Sequence, residues 1–188
     1  MKKINRSFRI NIKITILLFQ KSNIRFTFVH TNIVNTIMKI EEALKSNAIM
    51  EPSQKVVLNI IYTQNDIHER FAEILKPYDL SSEQYNVLRI LRGQKGNPAN
   101  MSVIQERMLA KTSNTTRLVD KLLLKELVTR TVCKSNRRKI DVLITEKGLS
   151  ILTELDPKII DHEKKIVQNL SNPELEQLNF LLEKIRNQ

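Results

Sequence analysis

Apolar positions recur three and four residues apart from Val57 through Ile60, Ile61, Ile67, Phe71 and Ile74 to Leu75, which predicts one face of a long helix over Ser53–Lys76. Pro77 closes it, because the residue before a proline is pushed out of the helical region. Ser81 and Gln84 form an S-x-x-Q capping box for a second helix, with Val87, Leu88 and Leu91 inward and its end near Gly93 and Gly96. A third, short helix is predicted from Ser102, with another box to Gln105, ending before Ala110. Lys111, Thr112 and Ser113 are read as the turn and cap into a fourth helix, which carries Leu118, Val119, Leu122 and Leu123 inward.

The period then changes. Val128–Cys133 and Ile140–Ile144 both alternate, and the polar segment between them makes a hairpin with a cationic tip. Thr145 caps the next helix, with Glu146 in its first turn, where an acid suits the helix dipole. Pro157 is expected to kink or restart that helix. Ser171-Asn172-Pro173-Glu174 opens a last helix with Leu175, Leu178, Leu182 and Ile185 on one stripe. The fold class is therefore mainly α with a small β-hairpin.

Charge sharpens this picture only when located. Of the net +11, residues 1–40 supply eight cations and no acid, 41–80 net −3, 81–148 net +8 and 149–188 net −2. A basic middle between acidic flanks is what a polyanion-binding module on a neutral scaffold shows. Residues 1–37 sustain no period, and the apolar run Ile14–Phe19 is shorter than a signal-peptide core or a membrane span. The preferred reading is a basic N-terminal extension, non-native or disordered, with a DNA- or membrane-contacting arm as the rival and no membrane partner expected for the rest. The single cysteine, Cys133, excludes an internal disulfide and suits a reducing cytoplasm.

Two helices joined by a tight turn and followed by a β-hairpin make a winged helix-turn-helix, whose second helix enters the major groove of double-stranded DNA. Its first turn offers Ser113, Asn114, Thr115, Thr116 and Arg117, with Lys121 one turn on. These short hydroxyl and amide groups hydrogen-bond phosphates and base edges, and arginine grips guanine or phosphate. Taken alone, S-N-T-T is a helix cap and turn. The basic hairpin after it tips the reading towards groove contact, with Lys134, Asn136, Arg137, Arg138 and Lys139 reaching phosphates or the adjacent minor groove from the wing.

Catalysis has little support. No P-loop or dinucleotide fingerprint is present, three glycines rule out a phosphate-cradling loop, and His30, His68 and His162 lack metal-ligand spacing. No cofactor, metal or catalytic residue is expected, and His68 and His162 read as helix-surface residues. Cys133 beside Lys134 and Arg137 has the surroundings of a redox-active thiol, but an inert strand cysteine is the ordinary reading. Two other functions compete: a sequence-independent DNA-packing protein, disfavoured by the acidic flanks, and a winged-helix module that docks protein.

Over about Ser53–Ile185 the chain resembles the multiple-antibiotic-resistance regulator (MarR) family of bacterial transcription factors. In that family's wing signature an arginine is followed, after three residues, by aliphatic-x-aliphatic-Thr-x-x-Gly. Here Arg138, Val142, Ile144, Thr145 and Gly148 match. LSSEQYNVLRIL, TTRLVDKLLLKELVTR and LSNPELEQLNFLLEKI are similar to the family's second, fourth and last helices. Two positions depart: Asn136 replaces the wing aspartate, and Glu126 replaces the glycine after the recognition helix, which implies a different C-cap geometry there.

The resemblance implies a homodimeric regulator, a repressor in the first instance, whose operator is a pseudo-palindrome with half-sites about one helical turn apart. It divides the chain into the extension 1–37, an N-terminal dimerisation helix in 38–80, the winged helix-turn-helix in 81–148 and C-terminal dimerisation helices in 149–188. Leu175, Leu178, Leu182 and Ile185, with the apolar first helix, offer more apolar surface than a lone winged domain needs to bury. The resemblance also implies a cleft for a small aromatic or acidic effector, with Tyr62, His68, Arg70 and Phe71 as its expected lining; their bland reading is core and surface of a long helix.

Overall fold

The computed structural model describes residues 37–132 and 140–187, and the chain falls into two compact units, Met1–Met50 and Glu51–Gln188. The described part of the first unit holds one short helix, α1 (Ile40–Ala43), which the sequence reading did not anticipate. The extension 1–37 lies outside the described residues apart from its last position, as do Cys133, Lys134, Asn136, Arg137, Arg138 and Lys139.

The second unit opens with α2 (Pro52–Leu75), started by proline in the first turn, where its missing N–H costs nothing. A 3-10 turn (Lys76–Tyr78) ends in left-handed Asp79 (φ 52°) and leads to α3 (Ser82–Arg92). The box at its start is formed: Gln84 N–H donates to the Ser81 hydroxyl at 3.2 Å, and Ser81 N–H to Gln84 Oε1 at 3.0 Å. Next come β1 (Ala99–Asn100), α4 (Met101–Arg107), α5 (Thr115–Leu124), β2 (Val128–Val132), β3 (Ile140–Ile144), α6 (Glu146–Val167) and α7 (Asn172–Arg186). The sheet is antiparallel in the order β1-β3-β2, with Val128 opposite Ile144, Val132 opposite Ile140 and Ala99 opposite Val142.

One apolar core lies under this sheet and α3, α4 and α5, and continues to α6. Val87, Leu88, Leu91, Ile104, Met108, Val119, Leu122, Leu127, Val142, Leu152 and Leu155 are all buried within it. Among the described residues no helix is long and apolar enough to cross a membrane.

Three local expectations need correction. The cap of α4 is Asn100, not Ser102: Asn100 Oδ1 accepts from Val103 N–H at 3.0 Å, and pairing of Asn100 with Asp141 in the sheet fixes the extended backbone that a cap requires. The cap of α5 is Asn114 rather than Ser113, its Oδ1 accepting from Arg117 N–H at 3.1 Å. Pro157 does not restart α6, which runs unbroken from Glu146 to Val167 because Leu152, Leu155 and Ile159 bury one face on both sides of the proline. The strand β1 escaped the sequence reading because two residues are too few to show alternation.

Candidate nucleic-acid interface

Helix α5 is held on three sides. Val119 and Leu122 are buried beneath it. At its start the Thr115 hydroxyl donates to Gln105 Oε1, while Gln105 Nε2 donates to the Lys111 carbonyl at 2.8 Å, so one side chain ties α4, the turn and α5 together. At its end Lys125 Nζ lies 2.8 Å from Asp79 Oδ2 and also bonds the Asp79 carbonyl; this contact holds the Asp79 carboxyl below its ordinary range.

The end of α5 also overturns one expectation. Glu126 adopts the left-handed conformation (φ 61°) that a glycine would take, with its N–H on the Leu123 carbonyl at 2.9 Å and Leu127 N–H on the Leu122 carbonyl at 3.0 Å. This is the Schellman geometry, so the C-cap is kept and the missing glycine appears as strain. Lys147 Nζ reaches Glu126 Oε2 at 3.1 Å.

With the helix so held, Thr116, Arg117, Asp120, Lys121 and Leu124 form its exposed face, and Asn114 is exposed at the cap. Arg117 makes no ion pair among the described residues. Ser113 is half-buried, and Thr115 is buried with its hydroxyl spent on Gln105, so Thr115 is withdrawn from the groove-facing set. The strand β2 runs beside the helix with Thr129, Arg130 and Thr131 exposed, and Arg130 Nη1 meets Asp120 Oδ1 at 3.0 Å. That pair was missed from sequence, because residues ten apart on different elements leave no periodic signal.

A cavity of about 900 Å³ is walled by α2, α3, the turn Met108–Ala110, the end of α6 and α7. His68 and Phe71 line it; Tyr62 and Arg70 do not. The helical period explains this correction, since the lining positions Ile60, Gln64, Ile67 and Phe71 form one stripe and positions 62 and 70 fall off it. Arg70 instead pairs with Asp66 at 3.0 Å on the exposed side. Among its polar lining residues is a cation the sequence did not single out, Arg89, whose guanidinium stands 5.8 Å from the centre of the Tyr85 ring, with the acid Glu83 also on the wall. Burial pushes the Tyr85 phenol up, and Arg89 opposes it.

Tyr85 packs edge-on to Phe71 at 5.4 Å, and the His162 ring lies 6.2 Å from that of Phe71. His162 is therefore half-buried rather than a surface residue, and its Nε2 is enclosed with no hydrogen-bond partner among the described residues. Burial first, and then Arg70, hold its imidazole below the ordinary histidine range.

The helix α7 buries no residue in the single chain: Leu175 and Leu182 are half-buried, while Leu178, Phe180, Leu181 and Ile185 are exposed. Val56, Val57, Ile60 and Ile61 are likewise exposed on α2.

A helix presented beside a β-ribbon over a three-helix core defines a winged helix-turn-helix, a class built to read duplex DNA. A family model described as "MarR family" matches residues 80–140. The HTH-type transcriptional regulator MhqR of Bacillus subtilis (strain 168) is 25% identical over 135 residues, 72% of this chain and 92% of that protein. A MarR transcription factor from Planctomyces limnophilus superposes with a TM-score of 0.57 at 29% identity, covering 72% of this chain and 98% of that one. A mutant E. coli MarR in complex with operator DNA shares the fold, with a TM-score of 0.61 at 23% identity over 67% of this chain and 89% of its own. In sequence and fold the chain is similar to DNA-binding transcriptional regulators of the MarR family.

Proposed function

We propose that the protein acts in the cytoplasm as a homodimeric repressor that binds a pseudo-palindromic operator and is released from it when a small aromatic or acidic molecule fills the cavity between α2, α3, α6 and α7. One observation carries this reading: the exposed face of α5 offers Thr116, Arg117 and Lys121 beside β2 while the helix is fixed at both ends. In this reading Thr116, Arg117 and Lys121, with Ser113 and Asn114 at the cap, enter the major groove, and Lys134, Asn136, Arg137, Arg138 and Lys139 of the wing grip phosphates.

The apolar residues exposed on α7 (Leu178, Phe180, Leu181, Ile185), with half-buried Leu175 and Leu182 and the exposed aliphatic residues of α2, support dimerisation, since apolar surface of this kind is what a second copy would bury. The cavity supports ligand control, because its apolar walls hold a ring and Arg89 supplies a cation for an acid.

The test is fluorescence anisotropy of the full chain against duplexes it selects from a randomised pool and against shuffled versions, at low and moderate salt, with sedimentation equilibrium for stoichiometry. Preference that survives salt, with one dimer per site, is the expected result. Equal, salt-sensitive binding to both duplexes would instead mark a DNA-packing protein.

A further inference from the structure

Asp120 is an unusual residue for the face it occupies. It lies on the exposed side of α5 between Arg117 and Lys121, where the helix is to meet a polyanion, and an acid there repels phosphate. It is not spare: its Oδ1 takes Nη1 of Arg130 at 3.0 Å, from β2 at the base of the wing.

The pair gives the fold little. Its side chains are 51% and 37% exposed, and ion pairs of that exposure contribute about 0–1 kcal/mol. It gives DNA affinity little as well, because a neutralised pair releases no counterions. What it does fix is geometry. The guanidinium is held at the junction of recognition helix and wing, and the remaining carboxylate oxygen and guanidinium donors make no other hydrogen bond among the described residues. A carboxylate accepts from the amino group of cytosine or adenine and rejects the acceptor edges of guanine and thymine. A tethered guanidinium donates to guanine N7 and O6.

Resting on the DNA-binding reading of α5, we propose that Asp120 and Arg130 form a discriminating pair of the interface: they set base specificity at the helix–wing junction, chiefly by penalising wrong sequences, and contribute little to bulk affinity. Discrimination of this kind needs a repulsive element as much as an attractive one, and Asp120 supplies it.

The experiment compares the full-length wild-type chain with Asp120→Asn and Arg130→Lys, on a duplex the wild type selects from a randomised pool and on a shuffled duplex of the same composition, across a salt series. Asp120→Asn is expected to bind the shuffled duplex several-fold more tightly and to lower the selected-to-shuffled affinity ratio roughly tenfold, with the salt dependence steeper by about one phosphate contact as Arg130 is freed. Arg130→Lys, which keeps the charge and loses the fork, is expected to lower the ratio without steepening the salt dependence. Should both variants weaken the two duplexes by one common factor, or change neither, the pair is a structural tie and the inference is overturned. Should the wild type select no sequence at all, the regulator reading fails, and this inference with it.

Discussion

Arg92 and Asp156 meet through two parallel contacts: Nη1 lies 2.8 Å from Oδ2 and Nη2 3.0 Å from Oδ1. The bridge joins the last turn of α3 to the middle of α6, one residue before Pro157. A proline inside a helix removes one backbone hydrogen bond and clashes with the preceding turn. Fixing its neighbour to α3 helps to keep α6 continuous across the proline. The fork geometry makes this pair stronger than a single-point contact, while partial exposure keeps it modest. Asp156→Ala is expected to lower unfolding stability by about 1 kcal/mol in urea titrations, and the loss should shrink in concentrated salt. An unchanged midpoint would show that packing alone carries Pro157.

Gly148 sits in the first turn of α6, its N–H donating to the Thr145 hydroxyl at 3.1 Å. A Cβ added there would stand 2.5 Å from the Leu127 carbonyl and 2.8 Å from Ile144 Cγ1. The first of these is backbone in the residue just before β2, so it cannot yield without moving the sheet against α6. Gly148→Ala is expected to cost about 1–3 kcal/mol, as overpacking does, despite the better helix propensity of alanine. Thermal unfolding of the variant measures it, and a stabilised protein would mean that the sheet and α6 give way freely.

At Glu126 the sign reverses. A non-glycine residue at φ 61° pays about 1–2 kcal/mol for left-handed backbone, and its contact with Lys147 is largely exposed and worth little. After allowing for the greater chain entropy of glycine in the unfolded state, Glu126→Gly should stabilise by about 0.5–1 kcal/mol. The check is a rise in urea midpoint with unchanged slope.

These positions show what a sequence makes visible. The helices α2 to α5 and α7 and the two ribbon strands were readable because each buries one face and so repeats apolar residues at its own period. The caps at Ser81, Thr145 and Ser171 were readable too, because the residue that caps lies beside the residues capped. Asn100 and Asn114 were misread as Ser102 and Ser113 because several cap-forming residues stand together, and tertiary pairing chooses among them. The Gln105 clamp, Arg89 over Tyr85, and Asp120 with Arg130 were not readable, since each joins elements whose separation in the chain carries no spacing signal. At Glu126 the sequence named the departure but not its consequence: the fold kept the left-handed turn and accepted the strain.

His162 makes stability depend on pH. Its folded pKa is depressed by burial against Phe71 and by Arg70, with Glu163, Asp161 and Asp66 pulling the other way. The unfolded chain therefore takes up a proton before the folded one does. The sign follows: stability from neutral His162 is fully present above the unfolded value near 6.5 and is lost as pH falls from there through the folded pKa. Urea midpoints at pH 7.5 and at about pH 5.5 should differ more for the wild type than for His162→Gln. Equal differences would assign the pH dependence to other groups.

Arg117 and Arg138 separate two ways of holding DNA. Under the proposed function Arg117 projects from the first turn of α5, where base edges are read, whereas Arg138 belongs to the wing and meets phosphate. A base contact favours one sequence over others, so Arg117→Ala should lower affinity for the selected operator roughly 10- to 100-fold and for shuffled DNA far less. A phosphate contact is blind to sequence, so Arg138→Ala should weaken both duplexes alike and flatten the salt dependence by about one counterion. Anisotropy titrations of the two full-length variants on both duplexes measure the contrast. If Arg117→Ala weakened the two duplexes equally, α5 would be gripping the backbone rather than reading bases, and sequence preference would have to arise elsewhere on the protein.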